Sequence, residues 1–158
     1  MAKTTPATLA LRKAGVAFTL HTYDYDPDAG RVGLQAAESL GADPARVLKT
    51  LMAQVDGKPV CAVLASDQEV SMKRLAAVFG GKAAAMMKPA DAERLTGYRV
   101  GGVSPFGQKR LVPTVVDEAA LAHDQVFVNA GQRGLQAHLA PADLVTALGA
   151  RAALITSE

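Results

Sequence analysis

The chain opens with a helical pattern and then changes period. Thr5 before Pro6 supplies a cap and a first-turn proline, and Leu9, Ala10, Lys13 and Ala14 lead to Gly15, so a short helix with its stop is expected. From there Val16, Phe18, Leu20 and Thr22 alternate with Ala17, Thr19, His21 and Tyr23, the pattern of a strand with one buried face. Asp24 to Gly30, with Pro27 and three acids, reads as a loop. A helix from Gly33 to Leu40 closes at Gly41, and Asp43-Pro44 starts a short helix to about Leu48 that delivers Lys49 and Thr50 into the next strand. Two apolar runs, Thr50 to Val55 and Lys58 to Leu64, flank Asp56-Gly57, whose residue types supply the positive φ angles of a tight hairpin.

Ser71 caps a helix with Met72, Leu75, Ala76 and Phe79 on one face, ending at Gly80-Gly81. Lys82 to Met87 predicts a small strand and Ala90 to Leu95 a short helix ending near Gly97. GGVSPFG, 101 to 107, is a tightly bent loop. Strands are expected at Leu111 to Val116, Gln125 to Asn129, Gly134 to Leu139 and Ala152 to Ile155, with a helix from Pro141 to about Leu148. This irregular alternation favours a mixed α/β fold, a central mixed sheet with helices packed around it, over a doubly wound parallel one. No repeat or low-complexity linker divides the 158 residues, so a single domain over 1–158 is expected.

Composition narrows the chemistry. At 49% hydrophobic and 20% charged the chain is too apolar for disorder. No apolar run approaches a membrane span and the N-terminal stretch lacks a signal-peptide pattern, so no membrane partner and a cytoplasmic location are expected. One cysteine, Cys61, and three histidines argue against a disulfide, a zinc site or any metal cofactor. A net charge of +2 and a pI near 8.8 permit an anionic partner without demanding one. With no tryptophan and four phenylalanines, an aromatic base-stacking platform of the RNA-recognition type is not expected. Phosphate contacts would dominate, with Lys73, Arg74, Lys82, Lys88, Lys109, Arg110 and Arg133 as candidates.

Few residues announce catalysis. Lys49, in RVLKTLM, is either an apolar stem with its head in solvent or a positioned ammonium that binds a phosphate or carbonyl oxygen. The GGVSPFG loop offers main-chain N–H groups that glycine lets approach a ligand, yet matches neither a Walker loop nor a dinucleotide fingerprint. Asn129 to Gly134 is a second such turn. Cys61 reads as a buried structural thiol, and no Ser-His-Asp order or Glu-x-x-His spacing is visible. Tyr23, at the end of the first strand, could hydrogen-bond a ligand.

In order, HTYDYDP (21–27), VLKTLM (47–52), TGYRVGGVSPFGQK (96–109), LVPTVVD (111–117) and GQRGLQAHLAPADL (131–144) resemble the YbaK family, relatives of the editing domain of bacterial prolyl-tRNA synthetase. The resemblance implies a central sheet curved towards a barrel and a trans-editing deacylase that removes cysteine from Cys-tRNA(Pro), with Cys-tRNA(Cys) also cleaved. It implies no DNA partner and no cofactor, with prolyl-tRNA synthetase as a transient partner. It makes Lys49 the key residue, stabilising developing charge, and implies that the substrate's own thiol attacks its ester. Gly101 and Gly102 would hold the 3′ adenosine end through their N–H groups, Ser104 would lend a hydroxyl, and Tyr23, Thr50, Gly131 and Gln136 would complete the substrate pocket. Family members carry an aspartate where this chain has Gln136 and a Ser-Gly pair where it has Asn129-Ala130, so the preference between cysteine and alanine is open. The competing readings are water-driven Ala-tRNA(Pro) deacylation and a non-catalytic aminoacyl-tRNA or synthetase-binding module.

Overall fold

The computed structural model describes residues 4–28 and 31–157. The first helix, α1 (Pro6–Lys13), is capped reciprocally: Thr5 Oγ1 accepts from Thr8 N–H and Thr8 Oγ1 accepts from Thr5 N–H. Thr5 also donates to the carbonyl of Ala130 at 2.6 Å, tying the helix to a distant turn.

The central hairpin joins β2 (Leu48–Val55) to β3 (Lys58–Ala65) through Asp56 and Gly57, with φ of 51° and 82°. It forms the middle of a five-stranded sheet with β4 (Ala84–Met86), β5 (Thr114–Asp117) and β8 (Arg151–Ala153), in the order β4-β2-β3-β5-β8. The pairs β3–β5 and β5–β8 are parallel and the others antiparallel, so the sheet is mixed as expected. A separate antiparallel sheet contains β1 (Phe18–Thr22), β7 (Leu135–Leu139) and β6 (Val126–Asn129), in the order β1-β7-β6. The strands of the described residues fall into two sheets joined where Val47 makes one parallel bridge to Phe127, which agrees with the expected mixed α/β fold and leaves no closed barrel among those residues.

Strand alternation sorts the core. Leu48, Met52, Cys61, Val63 and Val116 face Val126, Val128, Leu135, Ala137 and Leu139 between the sheets. On the other side Ala53, Val55, Val60, Ala62 and Leu64 pack against Leu75 and Ala76 of α3 (Met72–Val78). Each large apolar side chain so buried contributes roughly 1.5–3 kcal/mol, so β2 and β3 are held from both faces. The remaining helices are α2 (Val32–Leu40), α4 (Pro89–Thr96) and α5 (Pro141–Leu148).

Several boundaries move for local reasons. The strand expected from Leu111 starts at Thr114, because Pro113 has no N–H to give a ladder and Leu111 is 87% exposed. The last strand ends at Ala153 rather than Ile155, whose N–H donates to the side-chain Oδ1 of Asp117 on β5 instead of to a main-chain carbonyl. The helix after Asp43 is one 3₁₀ turn, Pro44–Arg46, so Lys49 lies inside β2 rather than at a helix-to-strand junction. The residue pattern gives no sign of the 3₁₀ turn at Glu118–Ala122. In the acidic loop, Ala29 and Gly30 lie outside the described residues.

Candidate active site

The site grows from one unpaired stretch of strand. β4 pairs with β2 only at Ala53 to Val55, and the bridge to Phe127 holds β2 only at Val47. Between them no strand among the described residues covers the outer edge of β2. Met52 C=O accepts from Met87 N–H on that edge, so alternation of the ladder turns the main chain of Thr50 outward there as well. A cavity of about 480 Å³ fills the gap.

Lys49 and Thr50 both line this cavity although they point to opposite faces of β2. Thr50 shares the face of Leu48 and Met52, Lys49 that of Leu51 and Ala53, and the cavity wraps the bare edge to reach both. Burial pushes the Lys49 ammonium below the ordinary lysine pKa. Glu69 and Asp67 pull it back up and Arg31 pushes it further down. Lys49 is therefore a half-buried cation beside other charges, not a surface lysine.

Gln136 and Asn129 are direct partners on β7 and β6 and both line the cavity. Gln136 is 2% exposed and its Oε1 has no hydrogen-bond partner; neither do Thr50 Oγ1 and Tyr23 Oη. Tyr23 extends the β1–β7 ladder, its N–H donating to Gly134 C=O, and stands behind the cavity wall. Its hydroxyl lies near enough to Gln136 to feel the amide, without a bonding geometry, and burial still raises its pKa. Among the described residues these three are the side chains with a buried, unpartnered polar atom.

The glycine loops divide the remaining expectations. Gly101 lines the cavity, with φ of 92°. Gly102 does not, and its N–H donates to Arg99 C=O, so it has none to offer a ligand. Ser104 is fully buried and its Oγ accepts from Phe106 N–H, which commits the hydroxyl to the loop rather than the pocket. Gly131 also stands away from the cavity and gives its N–H to Asn129 Oδ1 at 2.7 Å. Asn129 then donates through Nδ2 to Gly101 C=O and Gln132 C=O, clasping the two loops. Of the expected residues, the fold gathers Lys49, Thr50, Gly101 and Gln136 around one space, with Tyr23 behind Gln136.

The chain matches the model of the aminoacyl-tRNA editing domain over residues 27–147. It belongs to that family. It is 40% identical over 124 residues to an Enterococcus faecalis protein named "Putative Cys-tRNA(Pro)/Cys-tRNA(Cys) deacylase EbsC", covering 77% of this chain and 75% of that one. It is 32% identical over 100 residues to the Escherichia coli "Multifunctional Ser/Thr-tRNA deacylase ProXp-y", covering 60% of each. The fold of this editing domain superposes on the crystal structure of "a putative trans-editing enzyme for prolyl tRNA synthetase" with a TM-score of 0.82 at 21% identity, across 99% of this chain and all of that one.

Several residues of this editing domain were invisible to pattern reading. Arg31 and Glu69 line the cavity from loops where nothing in their spacing marks them. Met52, Met86 and Met87 supply apolar wall where β2 and β4 part. Gln108, 8% exposed, donates to Ser104 C=O at 3.0 Å and to Met52 Sδ at 3.5 Å, so it ties the glycine loop to the strand beside the cavity. Among the described residues no group of three metal-ligating side chains forms, and no helix is long and apolar enough to cross a membrane.

Proposed function

We propose that this editing domain is a deacylase that removes cysteine from Cys-tRNA(Pro), and from Cys-tRNA(Cys), through attack by the substrate's own thiol. The observation that carries the reading is a cavity that combines one half-buried ammonium with unpartnered polar oxygens and no histidine or cysteine in its walls. Such a site can hold an ester and stabilise charge on its oxygen, and it lacks a histidine or cysteine to act as base or nucleophile. A tethered thiol supplies the missing nucleophile, and confinement gives it a large effective molarity.

In this scheme the cysteine sulfur forms a bond to the ester carbonyl carbon and the bond to the ribose 3′ oxygen breaks. The thiol proton passes to the departing oxygen, and the resulting thiolactone is opened by water to free cysteine. Lys49 stabilises the developing oxyanion, Gly101 shapes the wall against the terminal ribose, and Thr50 and Gln136 offer oxygens to donors on the aminoacyl group, with Tyr23 behind Gln136. The names of the relatives support the substrate class. The test is ester loss from Cys-tRNA(Pro) compared with its S-methylcysteinyl counterpart. Cleavage of the first and not the second is expected; equally rapid cleavage of both would refute thiol attack. An unreactive Cys-tRNA(Pro) would refute the deacylase.

A further inference from the structure

The rim of the cavity carries a feature that the proposed reaction does not use. The Arg133 guanidinium carbon lies 5.2 Å from the centre of the Tyr25 ring. Its Nε donates to the carbonyl of Val100 at 2.8 Å, and among the described residues no carboxylate pairs with it. Tyr25 is half-buried and Arg133 exposed, so the outer face of the guanidinium is open.

The two glycines beneath are what let this plate form. A Cβ at Gly101 would stand 2.8 Å from Tyr25 Oη and 3.2 Å from Arg133 Nε, and one at Gly102 would stand 2.8 Å from the Arg133 main-chain nitrogen. Val100 and Gly101 both line the cavity, so the plate sits at its mouth. A surface arginine ordinarily spends its charge on a carboxylate or samples many rotamers. This one lies over the Tyr25 ring and is anchored through Nε, and no carboxylate among the described residues offsets its charge.

We propose that Tyr25 and Arg133 form the plate on which the base of the tRNA's esterified terminal nucleotide stacks. The inference rests on the deacylase reading and specifies how the nucleotide half of that substrate is held. A planar cation matches an unpaired base attached to a phosphate, because guanidinium planes stack on nucleobases while their charge attracts the backbone. Any base has such a face, so the plate recognises a single-stranded end rather than a sequence. It is a single arginine-on-tyrosine plate, built by two loops rather than by a sheet of aromatics.

A hairpin RNA with an unpaired 3′ tail ending in 2-aminopurine, left uncharged, reads this contact directly. The wild-type protein is expected to quench its fluorescence saturably. Arg133→Lys, which keeps the charge and loses the plane, is expected to weaken the quenching titration about tenfold, and Tyr25→Leu to do likewise. The ratio of kcat/KM for Cys-tRNA(Pro) over cysteine ethyl ester should fall by a similar factor in both variants. Wild-type binding without quenching, or titrations unchanged in Arg133→Lys, would overturn the plate. Equal losses on both esters would reduce the pair to a strut for the glycine loop. A wild-type protein that quenches the hairpin but leaves Cys-tRNA(Pro) intact would instead sink the deacylase reading alone.

Discussion

The glycine loop and the cavity it borders treat buried polar atoms in opposite ways. In and around the loop the buried side-chain groups are spent: Tyr98 Oη donates to Phe106 C=O at 2.6 Å, Phe106 N–H to Ser104 Oγ, and Gln108 to Ser104 C=O. At the cavity Thr50 and Gln136, with Tyr23 behind, keep unpartnered oxygens. A satisfied network rigidifies, whereas an unsatisfied one costs stability until a ligand arrives. The loop is framework and the cavity is a receptor, and that distinction can be attacked residue by residue.

The largest effect belongs to the cation. Lys49→Ala should lower kcat/KM for Cys-tRNA(Pro) by about a hundredfold, the usual scale for losing one oxyanion-stabilising group, with no fall in the thermal midpoint. A variant that loses activity only by unfolding would erase the contrast. Next comes the framework. Tyr98→Phe strands the buried Phe106 carbonyl and should cost about 1–3 kcal/mol in urea denaturation. On the receptor side the sign reverses: Gln136→Leu removes a buried, unpartnered acceptor, so the urea midpoint should rise while kcat/KM falls about tenfold.

The pH profile tests the same division more gently. Burial lowers the Lys49 pKa, so cleavage that needs the ammonium should decline with rising pH sooner than for an exposed lysine. The unfolded chain holds that proton more tightly than the folded one, so stability should increase with pH between the two pKa values. Lys49→Met should flatten that slope. The smallest effect is at Cys61, which is fully buried with its thiol pushed up to about 12. Iodoacetamide at neutral pH should leave the native thiol unmodified by mass spectrometry and the activity intact.

Some of this architecture was readable from residue order because local chemistry decided it. Asp56-Gly57 between apolar runs specifies the hairpin, and the Thr5-Pro6 and Ser71 caps specify their helices without help from the rest of the fold. Lys49, Thr50, Gly101 and Gln136 were legible through family motifs, but that Lys49 and Thr50 reach one space from opposite faces depends on where β4 stops. The same limit hid the commitments of Ser104 and Gly102, whose partners are set by how the loop folds on itself. Leu111 looked like strand because its apolarity fits a core as well as a surface, and only the missing N–H of Pro113 excludes it.

The two staples on β2 have a further implication for how tolerant this protein is of insertions and deletions. Phe127 pins the strand before its first residue and Met86 pins it at Ala53, so it cannot slide. Losing one residue between those anchors would trade the sides of ammonium and hydroxyl outright, an all-or-nothing switch. The hairpin tip offers no slack either, because Asp56 accepts from the Lys82 and Ala83 N–H groups and so ties the turn to the approach of β4.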